Sequence, residues 1–125
     1  MTDNTYPRSC RLLTAQDYKS VFDNTELKVS SKCFLILARV TSLSSPRLGL
    51  IVAKKNVRQA TERNRVKRQI RQIFRVNKGL SNSLDLVVLA RKDANKLQNQ
   101  AMAQQLNHLW KDMSDKLARK QNFTN

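Results

Sequence analysis

The stretch Leu48–Arg75, LGLIVAKKNVRQATERNRVKRQIRQIFR, changes its hydrophobic period part-way along, and that change decides the fold. Its first residues belong to an apolar run, Arg47–Ala53 (RLGLIVA), of the length and composition of a core strand. The basic segment that follows is helical in spacing. At about 100° per residue, Val66, Ile70, Ile73 and Phe74 fall on one apolar stripe. Asn64, Arg68, Arg71 and Arg75 recur at i, i+4, i+7 and i+11 on the opposite side, with Arg65 beside them. Arg63 falls on the edge of the apolar stripe, placed to reach past the rim of the core to a second contact.

Between Lys54 and Arg75 the chain places nine of its 24 lysines and arginines against a single acid, Glu62. A charged helix face is ordinarily solvated and laced with carboxylates at i, i+4. Here those carboxylates are missing, so the face repels itself unless an anion covers it. Forked guanidiniums at this repeat suit a row of phosphates, each fork binding oxygens in bidentate fashion. The pattern favours a polyanion site over a merely solvated face.

Working outward from the helix, the remaining elements are shorter. Upstream, Cys33–Val40 reads as a hydrophobic strand, joined to Arg47–Ala53 by a Ser-rich turn with Pro46. The segment around Val29 has room for an additional short strand. Thr14 is placed as a helix N-cap, with Asp17 completing a capping box and Leu13 and Tyr18 at the staple positions. The helix that follows carries Tyr18, Val21 and Phe22 on one side. Downstream, Gly79 is a candidate C-cap for the basic helix, and Leu84–Ala90 (LDLVVLA) is a further strand. Met102, Leu106, Leu109, Trp110, Met113 and Leu117 then mark a long amphipathic helix. The order predicts one α+β domain over residues 1–125, helices layered on a single sheet. Residues 1–10 and 120–125 are expected to be flexible, with fraying after Arg119.

Composition limits the function. At 125 residues with 40 % hydrophobic content, the chain is long and apolar enough for one core. A net charge of +15 directs attention to nucleic acid or an anionic membrane. No apolar run approaches the ~18 residues that span a bilayer, and no signal sequence opens the chain, so a cytoplasmic ribonucleoprotein is the expectation. Cys10 and Cys33 lack metal-ligand spacing and read as buried thiols in a reducing compartment. His108 has no second ligand nearby, the nine acids form no two-metal pair, and Gly49 and Gly79 alone cannot make a phosphate loop. Trp110 belongs to a core stripe. The polypeptide by itself shows no catalytic apparatus and no metal site. Tyr18 and Phe22 stay open between core packing and a stacking platform for unpaired bases beside a positive groove.

Three blocks in order, RLLTAQDYKSVF, the LGLIVAKKNVRQATERNRVKRQIRQIFR stretch with its Arg63-Asn64-Arg65 triplet, and LDLVVLARKDA, resemble the bacterial ribonuclease P protein family from about Arg11 to Trp110. One such triplet is weak; the three blocks at this spacing are specific. The resemblance implies an αβββαβα sandwich, related to a domain of a small-subunit ribosomal protein and to domain four of translocating elongation factors. It also implies a left-handed βαβ crossover, against the usual hand. It implies a protein subunit of a tRNA-processing endonuclease whose chemistry lies in a catalytic RNA. That RNA holds the Mg²⁺ ions and cleaves the 5′ leader from precursor tRNA, giving the mature 5′ end.

By the same resemblance, Lys54, Lys55, Arg63, Asn64, Arg65, Lys67, Arg68 and Arg71 contact the RNA subunit, and Tyr18, Phe22 and Phe34 hold the leader. The implied partners are the catalytic RNA and precursor tRNA, with no membrane and no obligate protein partner. Two positions depart from the family pattern: Gln72 where relatives often carry Glu, and Leu37 where some carry an aromatic. The second bears on how much stacking the sheet side of the leader cleft supplies. Set against this is a structural binder of ribosomal RNA, which needs no aromatic leader cleft. DNA binding is weakened by the absence of a zipper after the arginines, and membrane binding by the sheet's need for the apolar stripe.

Overall fold

The computed structural model describes residues 8–43, 45–77 and 83–123. Seven regular elements follow in the order α1 (Ala15–Asp23), β1 (Leu27–Ser30), β2 (Phe34–Val40), β3 (Arg47–Ile51), α2 (Ala60–Val76), β4 (Leu84–Ala90) and α3 (Asn99–Phe123). This is the αβββαβα succession, and the short strand around Val29 is present. The strands form one sheet ordered β1-β2-β4-β3. β2 runs antiparallel to both β1 and β4, whereas β3 and β4 are parallel neighbours connected through α2.

Side chains alternate between the two faces of a strand, and each face has its own core. Phe34, Ile36, Ala38, Leu48, Leu84, Leu86 and Val88 join the apolar stripes of α2 and α3 in the main core. There the Phe74 and Trp110 rings meet edge to face at 6.4 Å between centroids, a favoured aromatic geometry. The other face carries a smaller cluster, Leu12, Val21 and Val87, against which Tyr18, Leu37, Ile51 and Leu89 pack. α1 therefore covers one side of the sheet, α2 and α3 the other.

Local chemistry sets the ends of the elements. Thr14 Oγ1 accepts the Asp17 N–H at 3.1 Å, and Asp17 Oδ2 accepts the Thr14 N–H at 3.2 Å, the reciprocal pair of a capping box. The Leu13 N–H also donates to Asp17 Oδ2, at 3.0 Å, and Leu13 is 48 % exposed. β3 stops at Ile51, short of Ala53, because the Ala53 carbonyl accepts the N–H groups of Asn56 and Val57 and turns the chain. Asn77 closes α2, its N–H bonding to Ile73 O and Phe74 O; Gly79 lies outside the described residues. Arg8–Cys10 is a 3₁₀ turn, Cys10 is buried, and Arg11 bridges to Leu48 beside the sheet. At the other terminus α3 continues past Arg119 to Phe123.

Candidate nucleic-acid interface

α2 turns Val66, Ile70, Ile73 and Phe74 into the core and leaves its cations outside. Asn64 and Arg68 are exposed, as are Lys54 and Lys55 in the turn before the helix; Lys67, Arg71 and Arg75 are half-buried. The sole acid of the helix, Glu62, is engaged by Arg65 at 3.2 Å. Gln72, where an acid would partner the last turn, brings no negative charge; its Oε1 accepts a long hydrogen bond from Arg75 Nε at 3.4 Å. The outward face thus keeps its positive charge, the condition for attracting a polyanion.

The two arginines of the triplet behave differently from the rest. Arg63 Nη1 donates to the carbonyls of Val57 (3.1 Å) and Arg58 (2.7 Å), so its second contact is the turn that leads into its own helix. Arg65 donates to Asn95 O (2.7 Å), Leu97 O (3.0 Å) and Asn99 Oδ1 (2.7 Å) as well as to Glu62. Both guanidiniums donate to backbone carbonyls that lie outside the sheet and the α-helices. Sequence spacing could place these residues on the helix but not reveal those acceptors of Arg65 that lie at least thirty positions away.

On the opposite side of the sheet, Val21 is fully buried and anchors α1. Tyr18, one turn earlier, lies against the sheet: its hydroxyl accepts the Leu50 N–H at 3.1 Å, and its ring covers Gly49. Phe22 stands at the rim, 42 % exposed. Leu37, Ile51 and Leu89 are partly buried apolar residues packed, like Tyr18, against the cluster on this face. Phe34 does not join them. It is fully buried in the main core, because it is an odd number of residues from Leu37 and so points to the other face of β2. The structure thus brings Tyr18 and Phe22 together and removes Phe34 from the expected leader site.

A polar group missed in the sequence lies on the cleft side of the sheet. Asp85 on β4 is 1 % exposed and is registered with Arg39 on β2 and Arg47 on β3. Arg47 binds it in bidentate fashion, Nε to Oδ1 at 2.9 Å and Nη2 to Oδ2 at 2.7 Å; Arg39 Nε is 3.8 Å from Oδ2. The Asp85 hydrogen bonds push the Arg47 pKa above its ordinary value. Two guanidiniums against one carboxylate leave this part of the sheet positive. The signal was legible in principle, since an acid inside the run LDLVVLA must be paired if it is buried.

Among the described residues no group of His, Cys, Asp and Glu is arranged to hold a metal ion. His108 is exposed, 3.6 Å from Asp112. Cys10 and Cys33 are buried free thiols, and burial pushes the Cys33 pKa up, away from reactivity. No helix among the described residues is long and apolar enough to cross a membrane.

Residues 6–114 match the family model described as Ribonuclease P. A ribonuclease P protein component from Chromohalobacter salexigens is 43 % identical over 121 residues, covering 97 % of this chain and 94 % of the relative. Its counterpart in Pseudomonas aeruginosa is 46 % identical over 111 residues, covering 89 % and 82 %. Among solved structures, the RNase P protein of Staphylococcus aureus superposes with a TM-score of 0.75 at 27 % identity, over 82 % of this chain and 93 % of that one. The Thermotoga maritima protein gives 0.69 at 31 % identity, over 81 % and 96 %.

Proposed function

The chain belongs to the ribonuclease P protein family, the accessory subunits of an endoribonuclease, and we propose from that premise that α2 binds the catalytic RNA while the α1 cleft holds the 5′ leader of precursor tRNA. The observation that carries the first half is the outward face of α2, where the one acid is engaged by Arg65 and the remaining cations have no carboxylate on their own helix. Lys54, Lys55, Asn64, Lys67, Arg68 and Arg71 are the residues assigned to RNA phosphates. Forked donors such as Arg68 bind such oxygens more strongly than an ammonium does.

The cleft supports the second half. An unpaired base can stack on the exposed part of Phe22, with Tyr18 and the apolar sheet residues behind it, and stacking on an aromatic contributes about 1–3 kcal/mol per base. Cleavage itself is assigned to the RNA subunit, which would hold the Mg²⁺ ions and, through them, supply an activated water. The protein contributes positive charge that lowers repulsion between the RNA subunit and precursor tRNA, and a cleft that fixes the leader's path. The working compartment on this reading is the cytoplasm.

Reconstitution tests the assignment. The full-length protein, mixed with a bacterial ribonuclease P RNA at low Mg²⁺, should accelerate release of the leader from labelled precursor tRNA. The RNA-free protein should release none; metal-dependent cleavage by protein alone would overturn the division of labour. Arg68→Ala and Arg71→Ala should each weaken binding to the RNA subunit by about 1–3 kcal/mol, with affinity falling steeply as salt rises. Normal binding by both variants across the salt range would remove the α2 face from the interface.

A further inference from the structure

A second basic surface lies off the exposed face of α2. An open groove of about 400 Å³ separates the turn that enters α2 from the loop that follows β4. Lys55 and Arg58 stand on the first wall, Lys92 and Lys96 on the second, and all four are exposed. The acid lining the groove is Asp93, whose Oδ1 is 3.2 Å from Lys96 Nζ. Four cations against one carboxylate leave the groove strongly positive. The Asp93–Lys96 pair is solvated, and such pairs contribute little, so Lys96 is available to a phosphate.

The walls are held by the triplet. Arg63 bonds the Val57 and Arg58 carbonyls of the first wall. Arg65, two residues on, bonds the Asn95 and Leu97 carbonyls of the second and Asn99 at the start of α3. Asn56 Nδ2 crosses between them to Ala90 O at 3.1 Å. Arg65, bonded to four residues, has few donors left for a ligand, and Arg63 commits its Nη1 to two carbonyls, so the triplet is anchored in the protein. Its effect is on geometry instead: one arginine fixes the spacing of Lys55 and Arg58 from α2, the other that of Lys92 and Lys96.

We infer that Arg63 and Arg65 are positioning residues, and that the groove they hold open binds a stretch of the RNA subunit's phosphodiester backbone through Lys55, Arg58, Lys92 and Lys96. The inference rests on the reading of α2 as the RNA-subunit site. Continuity selects that RNA over precursor tRNA as occupant: Lys55 belongs to both surfaces, and the groove opens at the start of α2, whereas the α1 cleft lies across the sheet. The RNA interface accordingly continues from the helix onto the β4–α3 loop.

The test is binding of full-length variants to a ribonuclease P RNA over a salt titration, with thermal melts as controls. Lys92→Ala and Lys96→Ala should melt like the parent, and each should lower the slope of log affinity against log salt by about one. Affinity should fall roughly fivefold to tenfold per lysine near 0.1 M salt. Arg65→Ala should weaken binding about as much as the double lysine variant, and should add little in the background of that double variant, because the two act through one structure. Arg65→Lys, which keeps the charge but not the fork, should not restore binding. Unchanged slopes for both lysine variants would overturn the groove. Full additivity of Arg65→Ala with the lysine changes would return Arg65 to direct contact. Arg68→Ala serves as the reference: if it too binds normally, the α2 reading itself falls, whereas an effect of Arg68→Ala without one from the lysines sinks only the groove. The lysine variants keep the test informative even if an arginine variant fails to fold.

Discussion

The ring of Tyr18 lies so close over the α-carbon of Gly49 that a β-carbon there would meet two ring atoms at 2.7 Å. The phenol oxygen is held at the same time by the Leu50 N–H, so the ring cannot retreat without losing a hydrogen bond. Gly49→Ala should therefore cost about 1–3 kcal/mol through overpacking, and displace the aromatic from the cleft. Tyr18→Phe, which keeps the ring and loses only the bond, should cost about 1 kcal/mol. Denaturant melts compare the two. Gly49→Ala should also be partly rescued by Tyr18→Leu, and no rescue would show that the ring is not what the new methyl group meets.

Phe22 and Phe34, both expected at the leader site, should separate cleanly by experiment. Phe34→Ala removes a fully buried side chain and should cost about 3–5 kcal/mol of stability, lowering binding of precursor and mature tRNA together. Phe22→Ala should leave the melting temperature nearly unchanged and weaken precursor binding alone, by about 1–3 kcal/mol per stacked base. Equal losses for both tRNAs with Phe22→Ala would return that residue to a packing role.

Asp85 is buried between strands and its main partner is the Arg47 fork. Removing one member of such a pair leaves the other desolvated without compensation, which costs about 3–5 kcal/mol. Arg47→Ala should approach that loss, with Arg39 limiting it from 3.8 Å. Arg39→Ala should cost clearly less. Chemical denaturation of the two variants decides the order, and a larger loss for Arg39 would contradict it.

The capping box makes the first helix acid-sensitive. The Leu13 N–H, then the Thr14 N–H and the charge of Arg47, pull the Asp17 pKa below its ordinary value against the opposing effect of burial. A depressed carboxyl contributes stability that is full above the unfolded pKa, near 3.9, and lost as pH falls through the folded value. Thermal melts should accordingly show the parent protein ahead of Asp17→Asn at pH 6, with the gap closing below about pH 4. A gap that stays constant to pH 3 would mean the charge of Asp17 has no part in the cap.

Much of this was legible in the sequence because it depends on short-range pattern. The stripes of α2 and α3 follow helical spacing, and Thr14 and Asp17 are three residues apart. The resemblance puts Phe34 at the leader site, whereas strand alternation counted from Leu37 points it to the other face, where it is buried. The acceptors of Arg63 and Arg65 and the contact of Tyr18 with Gly49 depend on how loops and layers meet, which no local period encodes. Asp85 was half legible: its burial demanded a partner, but only the register of three strands identifies which arginines supply it.

Among the described residues the last strand in the order β1-β2-β4-β3 has a side with no strand beside it, yet two of its backbone groups there are engaged. The Leu48 carbonyl accepts the Leu12 N–H at 3.1 Å, and the Leu50 N–H is taken by Tyr18. An unguarded strand rim is a template for pairing with another chain. A protein of charge +15 is kept from its own kind by repulsion, a protection that any polyanion neutralising the charge would remove. The segment from Arg11 to Tyr18 is then a built-in stopper against self-templated assembly, and its aromatic is one that the proposed leader site shares.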